Sequence, residues 1–310
     1  MSDTRPILIA GPTASGKSGL ALRLAEQLGG VVINADSMQV YRELRILTAR
    51  PKAEEEARAP HALYGFVAGS ESYSAGRYAA DAARAISEAK RAGRRPIIVG
   101  GTGLYFKTLV DGLSPIPAVP EDIRSYWRAR GAAEGAAALH AELSARDPEM
   151  AGRLAPTDTQ RIVRALEVIE ASGVSLADWQ RAPREPVLML DDVIPLFVAI
   201  ERDELYRRID ARFVQMMLEG APDEVMQLVS LSLGPAAPIM TALGVRPLLR
   251  HLAGELTREE AVEAGQAETR QYAKRQVTWA RSNMMSWKWL AEQEMEKPEA
   301  ILASFVQKAH

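Results

Sequence analysis

Ile7-Leu8-Ile9-Ala10-Gly11-Pro12-Thr13-Ala14-Ser15-Gly16-Lys17-Ser18 is the stretch that decides the fold. Its first four residues are apolar and read as a short buried strand. The next eight fit the pattern G-x-x-x-x-G-K-[ST], and Lys17 to Leu28 then carry Leu20, Leu24 and Leu28 on one helical face. Strand, glycine-rich turn and helix in that order form a cradle for phosphate. In Gly11-Pro12-Thr13-Ala14-Ser15-Gly16, the glycines let the backbone N–H groups of Thr13, Ala14, Ser15 and their neighbours approach anionic oxygens, and the helix N-terminus adds positive potential. Lys17 supplies a point charge, and Ser18 offers a hydroxyl to Mg²⁺. The motif establishes polyphosphate binding without naming the polyphosphate.

Working outward, Val31 to Ala35 is a second apolar run and Pro96 to Val99 a third, with a helix predicted over Ala75 to Arg91 between them. Strands alternating with helices define an α/β fold with a parallel sheet. After Gly112 the texture changes. Leu113 to Pro120 holds three prolines, Glu121 to Gln180 is helical in pattern, and Arg181 to Pro186 reads as an exit linker. Strand character resumes at Pro195 to Ile200, and the remainder reads as helical. The expected organisation is a phosphate-loop core over 1–114 and 191–310, interrupted by a helical insertion over 115–190.

Composition narrows the class. The chain has 310 residues, 47% of them apolar and 25% charged, with a net charge of −2. That is a soluble globular composition, and any nucleic-acid site must be a local basic patch rather than a global field. The absence of cysteine excludes disulfides, thiolate catalysis and Cys-built zinc sites, and four scattered histidines argue against a His-built one. Met1 to Pro6 lacks a signal-peptide layout, and the longest apolar run, Val193 to Ile200, falls well short of the ~20 residues that cross a bilayer. The expectation is a cytoplasmic enzyme with no membrane partner, working as a monomer.

Three further features bear on chemistry. Asp36 lies just past the second strand, at the sheet edge where ligands of open α/β folds bind; it is either a general base or an ordinary turn carboxylate. Thr102, beyond the third strand, has the same choice between ligand and turn. No early apolar strand ends in the acid that a hydrolytic NTPase uses, so the loop reads as a holder for a leaving group. In the helix predicted over Asp203 to Glu219, Leu205, Ile209, Arg212 and Met216 share one stripe. Arg212 on that apolar face either neutralises the ligand's phosphates or closes a structural ion pair. Between Glu268 and Glu292 there is no acid, while Arg270, Lys274 and Arg281 share one helical edge beside a seam of Ala273, Val277, Ala280 and Met284. A second basic edge follows Thr157-x-x-Gln160, read as a capping box, where Gln160, Arg161 and Arg164 lie outside the stripe of Ile162, Leu166 and Ile169. Each edge is either a solvated face or a phosphate-contacting one.

Taken together, the segments resemble the bacterial tRNA dimethylallyltransferases. They are GPTASGKS at 11–18, NADSMQVY at 34–41, PH at 60–61, GGTGLYFKTLVDGLSP at 100–115, PTDTQRIVRALEV at 156–168, LYRRIDARFVQMMLEG at 205–220 and ETRQYAKRQVTWAR at 268–281, in the family's order. Nucleotide kinases share only the first. The resemblance implies transfer of a dimethylallyl group from dimethylallyl diphosphate to N6 of the adenine 3′ to the anticodon, position 37, in tRNAs that read codons beginning with U. Pyrophosphate is released. It implies that Thr13 to Ser18 hold the diphosphate with Mg²⁺ at Ser18, that Asp36 is the general base, and that Arg212 lies near the diphosphate. It further implies tRNA contacts at Asp36, Ser37, Met38 and Gln39, at Thr102 and Arg124, and at Gln160, Arg161, Ile162, Val163 and Arg164. The last implied contacts lie in Thr241 to Arg246, including Gly244, and at Arg270, Lys274, Arg275, Gln276, Trp279 and Arg281. The insertion is implied to grip the anticodon stem-loop while the target base is flipped out of its stack.

This chain departs from the family's pattern in three places. Glu43, Arg45 and Leu47 stand where the family has Gly, Asp and Gly. Val245 replaces an aromatic, and Gly65 and Ala68 stand in a stretch that usually has aspartates. The alternative functions to be separated are a small-molecule or nucleotide kinase, a prenyltransferase of free adenine nucleotides, and a non-catalytic tRNA-binding protein.

Overall fold

A run of four residues without a polar atom in its side chains can be buried on both sides, and strand β1 (Ile7–Ala10) is buried at every position. The computed structural model describes residues 4–234, 237–296 and 301. Around β1 a six-stranded parallel sheet forms from β2 (Gly30–Asn34), β3 (His61–Ala62), β4 (Arg95–Gly100), β5 (Ile194–Val198) and β6 (Lys288–Leu290), in the order β3-β2-β4-β1-β5-β6. β1 thus lies between β4 and β5, with Ile7 opposite Ile97 on one side and Ile194 on the other. The chain leaves β1 in one direction to reach β2 and β4, and returns in the other to reach β5. Such a reversal opens a crevice at the carboxyl ends of the strands.

Alternation along the strands divides the core. Leu8, Ala10, Ile33, Ile98 and Phe197 face one layer, where they meet Tyr78, Phe106 and Trp287. Ile7, Ile9, Val32, Ile97 and Leu196 face the other, where helix α1 (Lys17–Leu28) contributes Leu20 and Leu24. Each fully buried Leu or Ile contributes about 1.5–3 kcal/mol from burial, so Leu20→Ala would cost ~2–5 kcal/mol once its cavity is included. α1 ends at Gly29, whose φ of 60° is the left-handed conformation that stops a helix without a Cβ clash. Two more helices, α2 (Ala53–Arg58) and α3 (Ala75–Arg91), come before β4, and α4 (Gly103–Asp111) follows it.

The chain divides into two compact units, Asp111–Pro186 and the remainder. In the first of these, α5 (Glu121–Arg146), α6 (Pro148–Arg153), α7 (Thr159–Ser172) and α8 (Leu176–Arg181) pack around Trp127, Leu139, Leu143, Ile162 and Leu166. α5 is broken at Gly135, where φ is 79°. The predicted cap of α7 shifts by one residue: Asp158, not Thr157, accepts the N–H of Arg161, at 3.2 Å. Val187, Leu188 and Leu190 pack with the sheet's core instead, and the N–H of Leu188 donates to Leu109 O at 2.9 Å.

In the larger unit, α9 (Arg202–Leu218), α10 (Ala221–Ser230), α11 (Val245–Leu252) and α12 (Arg258–Asn283) complete the helices. A third apolar cluster joins α9, α10 and α11 to the segment after β2, through Val40, Tyr41, Leu44, Leu47, Phe213, Val225 and Leu248. Among the described residues no helix is long and apolar enough to cross a membrane.

Candidate active site

Ligand-binding geometry begins with strain in the loop. Ala14 has a φ of 61° and Gly16 a φ of 83°. The first costs a non-glycine residue on the order of 1–3 kcal/mol, the kind of strain that persists at ligand cradles. Ser15 is fully buried, and among the described residues its hydroxyl has no hydrogen-bond partner. Lys17 Nζ donates to Pro12 O at 3.0 Å, which curls the side chain back over the loop. From α9, Arg212 reaches Thr13 Oγ1 at 2.5 Å, so the charge predicted on an apolar stripe points at the phosphate loop and not at an acidic partner. α9 buries Leu205, Ile209 and Met216 on that stripe, together with Phe213.

Two cations held this close and half-buried oppose each other. Burial pulls the Lys17 ammonium down to about 8; Asp36 resists the shift and Arg212 adds to it. Burial also lowers Arg212, again with Asp36 opposing, but a guanidinium starts so high that it stays charged. Asp36 therefore feels both cations of the cradle. Its segment is fixed by Asn34, which has no exposed surface. Asn34 Oδ1 accepts from Asp36 N at 2.8 Å, and its Nδ2 donates to Asp36 O and Leu63 O at 2.9 and 3.0 Å. Asp36 Oδ1 accepts from Met38 N at 2.9 Å, while a Cβ placed on Gly101 would lie 3.3 Å from Oδ2. Thr102 Oγ1 accepts from Ser37 N at 2.9 Å and donates to Ser37 Oγ at 3.2 Å. Asp36 and Thr102, both predicted at strand ends, are thus brought to one edge of the sheet beside the loop.

Two cavities flank the loop. One, about 370 Å³, is lined by Ala14 to Ser18 and Arg212 together with Arg45, Arg50, Lys52, His61 and Tyr64. The other, about 260 Å³, is lined by Gly11, Gly101, Thr102, Tyr272, Gln276 and Trp279, with Phe106 and Phe197 behind. The first is basic and suits an anion; the second is rich in aromatic rings and suits a flat base. Sequence reasoning did not single out Arg50, Tyr64 or Tyr272. Tyr272 lines this cavity beside Thr102 and Gln276, and burial, with the Asp36 charge, raises its hydroxyl well above the ordinary range. The departures from the family pattern also find places here. The Arg50 guanidinium occupies the space a Cβ on Gly65 would need, and Leu47 and Phe213 pack where a Cβ on Gly244 would go. Glu43 accepts from Gly69 N at 2.9 Å.

The residues expected at tRNA contacts fall into two groups. Lys274, Arg275 and Arg281 on α12 are exposed, as are Thr241 and Arg246. Thr241, Arg246 and Arg275 line a further cavity of about 210 Å³. Others are engaged inside the protein. Arg270 is paired with Asp210 of α9, an acid invisible in the local sequence of α12. Gln39 Nε2 donates to Thr48 O and Ala49 O at 2.8 and 3.1 Å. Gly244 is buried with a φ of 84°, Trp279 covers Gly103, and Gln276 bridges two backbone segments. In the helical unit, Gln160, Arg161, Val163 and Arg164 line an open cavity of about 720 Å³ with Arg128 and Glu167. Ile162 has no exposed surface and belongs to that unit's core, because it lies on the apolar stripe of α7. Arg164 pairs with Glu167 at 3.1 Å and Arg124 with Glu121 at 3.7 Å.

Mg²⁺ can be tested against these residues. Among the described residues no three His, Cys, Asp or Glu side chains gather into a metal cage. The Ser18 hydroxyl, exposed in the first turn of α1, lines the basic cavity. A cation there would draw most of its ligands from phosphate oxygens and water, a coordination that suits Mg²⁺.

Fold and site define a phosphate-loop α/β protein whose anion cradle stands beside a carboxylate and lacks an acid at the end of β4. The IPP transferase family model matches residues 39–283, and an isopentenyl transferase model matches residues 5–64. The chain belongs to the IPP transferase family. A tRNA dimethylallyltransferase of Rhodopseudomonas palustris is 55% identical over 290 residues, covering 94% of this chain and 90% of the relative. One from Parvibaculum lavamentivorans is 53% identical over 302 residues, covering 97% and 96%. The crystal structure of tRNA isopentenylpyrophosphate transferase from Bacillus halodurans matches with a TM-score of 0.70 at 33% identity, over 98% of this chain and 97% of that one. A eukaryotic dimethylallyltransferase acting on tRNA matches with a TM-score of 0.79 at 28% identity, over 92% and 73%. These relatives do not favour the kinase alternative.

Proposed function

We propose that the chain transfers a dimethylallyl group from dimethylallyl diphosphate to N6 of the adenine at position 37 of tRNAs reading codons that begin with U. The observation that carries this is the placement of Asp36 within the field of both Lys17 and Arg212. A base and a leaving-group clamp then serve one displacement. N6 attacks the allylic C1, the C1–O bond breaks, pyrophosphate departs, and the N6 proton passes to the Asp36 carboxylate. Positive charge on the allylic carbon is resonance-stabilised, so the main catalytic demand is stabilisation of the departing anion. Lys17, Arg212, the free Ser15 hydroxyl and the N–H groups at the start of α1 meet it. Mg²⁺, held at Ser18 and the diphosphate oxygens, would add charge neutralisation.

On the acceptor side, the aromatic cavity with Thr102 and Tyr272 receives the flipped adenine, since an amine stacked within a loop is out of reach of a carboxylate at the sheet edge. Lys274, Arg275 and Arg281 contact tRNA phosphates. The helical unit grips the anticodon stem-loop through Gln160, Arg161 and Arg164. The test is to incubate the protein with Mg²⁺, dimethylallyl diphosphate and unmodified tRNA, then digest the tRNA and weigh its nucleosides. The expected result is adenosine heavier by C5H8 at one position. ATP consumption without tRNA change, or tRNA binding that never alters its mass, would refute the reading.

A further inference from the structure

Gln276 occupies a position that a surface contact to tRNA does not account for. The N–H of Thr13, a group of the phosphate loop, donates to Gln276 Oε1 at 2.9 Å, and Gln276 Nε2 donates to Gly101 O at 2.8 Å. The side chain is partly buried, and the receiving backbone is shaped for it. A Cβ on Gly101 would stand 2.3 Å from Gln276 Nε2, so any other residue there would push the amide away. The bridge continues beyond Gly101: Thr102 N donates to Ala35 O at 3.1 Å, and Thr102 Oγ1 accepts from Ser37 N at 2.9 Å. Asp36 lies between those two anchors. A continuous series of hydrogen bonds therefore runs from the diphosphate loop through one amide of α12 to the segment that carries the carboxylate.

We propose that Gln276 is a positioning residue that sets the separation between the leaving-group cradle and Asp36. The inference rests on the transferase reading given above. In that reaction the incoming nitrogen, the allylic carbon and the departing oxygen must lie in line, with the carboxylate within reach of the N6 proton. Nothing covalent links the two halves of this arrangement near the site, because Thr13 and Asp36 lie on segments following different strands. A misplacement of about 1 Å can lower the rate on the order of 100-fold without weakening either substrate's own contacts. The exposed neighbours Lys274, Arg275 and Arg281 remain free to contact tRNA while Gln276 faces inward.

Three quantities test this in Gln276→Ala and Gln276→Glu. They are the single-turnover rate at saturating dimethylallyl diphosphate and tRNA, the affinity for Mg²⁺-pyrophosphate, and the affinity for tRNA alone. The glutamate keeps an acceptor for Thr13 N but cannot donate to Gly101 O, so both variants break the bridge, and the glutamate preserves side-chain bulk should the alanine destabilise the fold. The expected result is a single-turnover rate lowered roughly 10- to 100-fold in both, with the two affinities within about threefold of wild type. Three results would overturn the proposal: an unchanged rate at saturation, a loss of tRNA affinity with that rate intact, or a loss of pyrophosphate affinity equal to the loss of rate. Failure of the wild-type protein to add C5H8 would instead refute the transferase reading itself.

Discussion

Lys17 makes the sharpest pH prediction. Burial holds its ammonium at about 8 in the free protein, against an ordinary 10.5. With that value the side chain is about nine-tenths charged at pH 7 and about one-tenth charged at pH 9. In the proposed reaction diphosphate binding requires the charge, so kcat/KM for dimethylallyl diphosphate should fall about tenfold between those limits, with a midpoint near pH 8. The same linkage requires proton uptake when ligand binds above that midpoint. Calorimetric titration of Mg²⁺-pyrophosphate at pH 8.5 in two buffers of different ionisation enthalpy should register an uptake of up to about three-quarters of a proton. Titration of Lys17 does not itself work against the fold over this range, by sign. The folded value is depressed, so between about 8 and 10.5 the unfolded chain holds the extra proton, and this group's contribution to stability increases with pH. A kcat/KM that stays flat to pH 9.5, or binding with no proton uptake at pH 8.5, would refute the argument.

Asp36→Asn should lower the single-turnover rate by roughly 10²–10⁴-fold while leaving tRNA affinity intact, measured by filter binding alongside product formation; retained turnover removes Asp36 from the reaction. Lys274→Ala should weaken tRNA binding and reduce the slope of log K against log salt by about 0.7–0.9. Arg270→Ala, whose charge is already paired with Asp210, should leave that slope unchanged; a drop would place it on the tRNA face after all. Gly244→Ala combines a φ of 84° with a Cβ only 2.9 Å from Phe213, and thermal unfolding should reveal a destabilisation of about 1–3 kcal/mol. An unchanged melting temperature would show that the turn can relax.

How much was legible in the sequence follows from the range of each interaction. β1, α1, α3 and α9 were visible because strand and helix periodicities are local, and a phosphate loop writes its whole geometry into eight consecutive residues. β3 and β6 escaped notice. Two or three residues carry no period, and β6 exists because β5 offers an unpaired edge to Lys288, Trp289 and Leu290. Arg212 announced itself as a charge on an apolar stripe, but its target, the Thr13 hydroxyl, lies 199 positions away.

The chain's own order of residues therefore determined the anion cradle, the candidate base past the second strand and the helical character of the middle segment, since each depends on neighbours in sequence. Tertiary structure alone decided which charges are free and which are consumed. Arg270 meets an acid from another helix, Gln39 caps backbone carbonyls, and Ile162 disappears into a core. Gln276 joins Thr13 to Gly101 across 263 and 175 positions. A hydrogen bond acts over about 3 Å of space whatever the separation along the chain, so no reading of local pattern could have assigned those partners.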